Sequence, residues 1–121
     1  MEDDDLIVTS YIDYEVTLFH CTCIPTAQRQ KAAEVFRKTM NAIFETPQRV
    51  VEMQRDYNYL LNRYDGSPLP SSASDDDRQL VDNWESAYAA ATAAAFVGWE
   101  IIPGAACFEI DFVDESGTCR Y

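Results

Sequence analysis

In the stretch CFEIDFVD, Cys107 to Asp114, apolar and acidic residues alternate: Phe108, Ile110 and Phe112 occupy every second position, with Glu109 and Asp111 between them. Side chains on a strand point alternately to its two faces, so this segment reads as a strand with one apolar and one acidic face. The carboxylates of Glu109 and Asp111 then stand roughly 7 Å apart, given a rise of ~3.4 Å per residue. Such a strand belongs in an antiparallel sheet with one covered face and one wet face. The rest of the chain must therefore supply a layer for one face only.

Three amphipathic helices supply it. Pro25 suits a first helical turn, and Ala33, Phe36, Met40 and Ile43 (or Phe44) follow at steps of three and four. Thr46-Pro47 marks a break and a restart, with Thr46 as cap and Pro47 at the first helical position. Val50, Met53, Tyr57, Leu60 and Tyr64 then form one continuous stripe, which ends at Asp65-Gly66, where glycine can take the left-handed conformation. The segment SPLPSSAS, Ser67 to Ser74, reads as a mobile surface connector. Ser74 caps a third helix, Asp77 stands where a capping box wants an acid, and Asp75 to Asp77 meet the positive end of the helix dipole. The inward stripe of that helix runs through Leu80, Trp84, Ala87, Ala91 and Ala94 (or Ala95), large residues followed by small, and Gly98 is its natural stop.

The remaining strand signals lie near the two ends. In YEVTLFHCTC, Tyr14 to Cys23, Val16, Leu18 and His20 alternate with Thr17, Phe19 and Cys21. Both sets are partly apolar, which predicts a central strand. Leu6 to Val8 reads as a short edge strand. Pro103-Gly104 fits the centre of a type II turn joining strand Trp99 to Ile102 to the strand from Ala105 to Val113. Glu115 to Gly117 offers a further turn before a short final strand, Thr118 to Tyr121. The expected fold is α+β in a single domain, residues 1–121. A small antiparallel sheet of three to five strands is covered on one face by three helices, in the order β-α-α-α-β-β. The first long strand lies beside a C-terminal one.

Charge narrows the function. The chain carries 21 acids against 9 bases, a net charge of −12. The span Pro25 to Asp65 holds seven bases and five acids, so the sixteen acids and two bases outside it carry the whole surplus. A field of this sign repels nucleic-acid phosphates and anionic membranes and attracts basic surfaces. Arg55, Tyr57, Tyr59 and Arg63 form a stacking-and-phosphate combination, but Tyr57 is better explained as core and the net charge opposes nucleic acid. The acidic start, MEDDD, is followed by no long apolar run and is not a secretory signal. The weakly polar run Ala89 to Gly98 is about half the ~20 residues a spanning helix needs. A cytoplasmic protein with reduced thiols is expected.

Catalytic chemistry finds little support. His20-Cys21-Thr22-Cys23 is the one ligand-like cluster, yet on a strand His20 and Cys21 point to opposite faces. Cys21 and Cys23 share a face and could join Cys107 or Cys119 around a metal, but there is no CxxC spacing and a single histidine, so no metal and no cofactor are expected. Acidic pairs are too abundant here to mark catalysis, and neither a glycine-rich phosphate loop nor a serine nucleophile elbow is present.

The expected function is therefore a small acidic, non-enzymatic inhibitor that occupies a basic, nucleic-acid-binding surface of a larger protein. Glu109, Asp111, Asp114 and Glu115, with Asp3, Asp4 and Asp5, would stand in for phosphates. Small phage proteins that block host defences, anti-CRISPR proteins among them, are similar in size and charge. An immunity protein or antitoxin against a basic nuclease fits the same charge. A small enzyme using the Cys21 and Cys23 thiols or a metal is the reading from another class. The plainest account of the same acids is a solvated strand face that discourages edge pairing.

Overall fold

In the computed structural model, which describes residues 11–19, 24–66, 68–98 and 107–114, the two ends of the described chain meet in one antiparallel pair. Strand β1 (Tyr11–Phe19) lies beside β2 (Cys107–Asp114), with α1 (Thr26–Phe44), α2 (Pro47–Tyr64) and α3 (Asp75–Ala95) between them in sequence. The register sets Tyr14 opposite Phe112, Val16 opposite Ile110 and Leu18 opposite Phe108, with an irregularity between Tyr11 and Asp13. Tyr14, Leu18, Phe108, Ile110 and Phe112 are buried and Val16 packs against them, so the alternation expected of β2 is present in both strands.

The helices start and stop where local chemistry dictates. The Pro25 carbonyl accepts from the amides of Gln28 and Arg29, both at 3.0 Å, and opens α1 without a side-chain cap. Thr46 Oγ1 accepts from the Arg49 amide at 3.0 Å, with Pro47 in the first turn of α2. The left-handed residue closing α2 is Asp65 (φ 63°), one position before the glycine; the following Gly66 also has positive φ, and its amide donates to the Leu61 carbonyl at 2.8 Å. Ser74 Oγ accepts from the Asp77 amide at 3.1 Å at the head of α3. The Asp77 carboxylate also accepts from the Tyr64 hydroxyl at 2.8 Å, which ties the start of α3 to the end of α2.

The core forms between the helices and the inner sheet face. Phe36, fully buried on α1, stacks on Phe108 with centroids 4.3 Å apart and meets Tyr88 edge-on at 5.1 Å. Phe44 stacks on Trp84 at 5.9 Å, so Phe44 completes the α1 stripe and Ile43 is left exposed. On α3 the small residues Ala87, Ala91 and Ala95 are buried. Such residues let a neighbouring element approach closely, and α3 lies against α1 along this stretch. A second cluster joins Leu60 and Val81 to Leu69 and Ala73 of the α2–α3 connector. Arg78 also donates to the Pro70 carbonyl at 2.7 Å, so the connector carries a clasp at two points.

The described residues form a two-stranded antiparallel sheet, and the further strands expected, for a total of three to five, fall outside them. The segments Leu6 to Val8, Trp99 to Ile102 and Thr118 to Tyr121 lie outside the described residues, as does the Pro103-Gly104 turn. The first strand also begins at Tyr11 and is described to Phe19, and it is not buried on both faces: Glu15 and Thr17 are exposed. With the helices on one side of the described strand pair, Glu15, Thr17 and Glu109 on its other face are exposed among the described residues. His20, Cys21 and Cys23 lie outside the described residues.

Candidate functional site

The outer face of the strand pair is the surface the sequence singles out. Glu109 is exposed and Asp111 partly exposed, both turned away from the core. The register adds a residue that sequence reasoning missed. Glu15 stands directly opposite Asp111, and Thr17 opposite Glu109. The signal for Glu15 was available in Asp13-Glu15-Thr17, which alternates with Tyr14-Val16-Leu18, but only the pairing register reveals its acidic neighbour. Like charges directly opposite across an antiparallel pair destabilise it.

Lys31 and Arg37 of α1 line a groove with Glu15, but the ion pairs of the described residues lie elsewhere. The ion pairs among the described residues are Arg37 with Asp13 (2.7 Å), Arg49 with Glu52 (3.3 Å) and Arg55 with Asp56 (3.4 Å). All three bases belong to α1 or α2, and none forms an ion pair with Glu15, Glu109 or Asp111. Asp13 is thus removed from the acidic face, while three carboxylates remain on it. Asp114 ends β2 opposite Tyr11, and its side chain lies outside the described residues. Glu115 and Asp3, Asp4 and Asp5 lie outside them altogether. Asp77 is engaged at the helical end of α2, so the Asp75 to Asp77 cluster has a structural explanation of its own.

The two outer edges of the sheet are treated differently. Arg37 clasps β1: its guanidinium donates to the Tyr14 carbonyl and to Asp13 Oδ1, and Asp13 Oδ1 also accepts the Tyr14 amide at 2.7 Å. The Tyr14 hydroxyl donates to Asn41 Oδ1 at 2.5 Å and contacts the Arg37 carbonyl at 3.3 Å. Burial pushes that hydroxyl well above its ordinary pKa, against the opposing pull of Arg37. On β2, the Tyr88 hydroxyl donates to the Phe108 carbonyl at 3.1 Å and accepts from the Phe108 amide at 3.3 Å. Phe108 and Tyr14 therefore turn their backbone groups away from the partner strand. Alternation along the ladder then makes Val16 and Ile110 do the same.

No metal-binding group of three or more His, Cys, Asp or Glu side chains occurs among the described residues. Cys107 lies opposite Phe19 at one end of the sheet, and Cys119 lies outside the described residues. No helix of the described residues is long and apolar enough to cross a membrane.

The arrangement defines a class by shape alone: an α+β protein with three helices on one face of a strand pair and carboxylates on the other. No family model, curated protein or solved structure matches the chain.

Proposed function

We propose that this is a non-enzymatic acidic binding protein whose open sheet face occupies a basic, nucleic-acid-binding surface of a larger protein and inhibits it. The carrying observation is the facing pair Glu15 and Asp111, with Glu109 beside it, none of which is engaged by an ion pair among the described residues. Repulsion of that kind works against folding, and a cationic partner converts it into attraction. Carboxylates spaced along a strand then act in place of phosphates, steering association and being screened by salt. A phage-encoded anti-defence protein is the form of this activity that best suits the chain's size and charge.

The test is capture of partners from the native host, followed by competition with double-stranded DNA. A captured basic protein that DNA displaces, and that Glu109→Lys/Asp111→Lys fails to bind at low salt, is the expected outcome. A partner bound equally well by the charge-reversed protein would remove the sheet face from the mechanism.

A further inference from the structure

A cavity of about 280 Å³ opens between α2, α3 and the outer edge of β2. Four aromatic residues line it, Tyr57, Trp84, Tyr88 and Phe108, together with Gln54 and Glu85. It lies just below the ~300–1,000 Å³ typical of drug-sized ligand sites, which matches a single side chain better than a large cofactor.

Two acceptors stand out among its polar groups. Glu85 presents a carboxylate, which accepts a hydrogen bond from the Tyr57 hydroxyl at 3.0 Å. Burial, with help from that carboxylate, pushes the Tyr57 hydroxyl up to about 12, so it stays a neutral donor to Glu85 at neutral pH. Gln54 Oε1 is buried and has no hydrogen-bond partner. Buried acceptors without donors are rare in folded proteins, because their desolvation is uncompensated. The terminal amide torsion of glutamine is broad, so a modest rotation turns this oxygen toward the cavity. Aromatic rings, an anionic rim and an unanswered acceptor together describe a receptor for a flat, cationic donor on an apolar stem.

We propose that this cavity receives an arginine side chain of the basic partner, its guanidinium donating to Gln54 Oε1 and Glu85 and its methylenes lying against the aromatic walls. The identity of the bearer rests on the function proposed above, whereas the affinity of the cavity for a guanidinium does not. Position supports the link. Phe108 and Ile110 line the cavity from the inner face of β2, while Glu109 and Asp111 lie on its outer face. A partner seated along this edge reaches both.

The experiment titrates N-acetylarginine amide into the wild-type protein, following the side-chain amide of Gln54 and the indole of Trp84 by NMR. Saturable shifts at both are expected, with none from N-acetylnorleucine amide. The conservative variant Gln54→Met, and separately Glu85→Gln at an exposed position, should each weaken binding by about tenfold, the scale of one hydrogen bond to a charged group. Shifts confined to the outer sheet face, equal shifts with the norleucine compound, or unchanged affinity in both variants would overturn the assignment. An oligoarginine peptide separates the two ideas. Saturable cavity binding together with indifference to Glu109→Lys/Asp111→Lys supports the cavity and sinks the sheet-face reading. Loss on that charge reversal without any cavity response does the opposite.

Discussion

At the scale of single residues, two side chains are held in protonation states that oppose alkali. The hydroxyls of Tyr14 and Tyr57 both ionise above the ordinary value of 10.0, chiefly because burial disfavours the phenolate. A raised folded-state pKa favours the protonated form, so the associated stability is complete below pH about 10 and fades as pH climbs through the folded values. Urea unfolding followed at increasing pH should therefore show stability falling from pH about 10 upward, through about 12 for Tyr57 and beyond for Tyr14. Tyr57→Phe should remove part of that fall; Tyr64, whose hydrogen bond to Asp77 raises its pKa, contributes to it as well. A separate residue carries backbone strain: Glu45 closes α1 with φ 78°, a region unfavourable for side chains with a Cβ. Glu45→Gly should stabilise the protein by about 1 kcal/mol in denaturant unfolding, the scale of one such outlier.

Among elements, the helices were legible because their signals are local. Thr46-Pro47 and Ser74 announce caps by their own chemistry, and the stripe from Val50 to Leu60 follows a period that no neighbour needs to supply. β2 was legible for the same reason. β1 was not fully so: Phe19 and Cys21 made its outer face look apolar, while the exposure of Glu15 and Thr17 depends on how many strands flank it and which face the helices take. The site shows the same division. Alternation alone turned Glu109 and Asp111 outward, but Glu15 joined them only through a register spanning most of the chain. The cavity beside β2 was invisible, since Gln54, Trp84 and Phe108 come from three elements and sit next to core positions. The facing acids also yield a prediction with two opposite signs. Asp111→Lys replaces repulsion with Glu15 by attraction, so it should raise folding stability by roughly 0.5 kcal/mol. The same change should lower affinity for a basic partner, and thermal unfolding set beside a binding isotherm would show both. Stability and binding falling together would mean that Asp111 serves the fold.

For the whole molecule, the charge has a direction. The middle helical pair carries most of the bases and uses three of them in ion pairs with Asp13, Glu52 and Asp56, leaving the surplus of acids elsewhere. Salt should therefore act oppositely on the free and the bound protein. Raising ionic strength from about 0.01 to 0.15 M shortens the screening length from ~30 to ~8 Å, easing self-repulsion and weakening attraction to a cationic surface. Melting temperature should rise over that range while partner affinity falls, and a salt-independent affinity would argue against an electrostatic interface. The pairing of β1 with β2 also sets a schedule for synthesis. Roughly 90 residues separate the two strands, so at ~5–20 residues per second the ribosome delivers the second about 4–18 seconds after the first. Through that interval the apolar side of Tyr14, Val16 and Leu18 lacks its neighbours on β2, and the growing polypeptide depends on its helices, or on a chaperone, to shield it until β2 emerges.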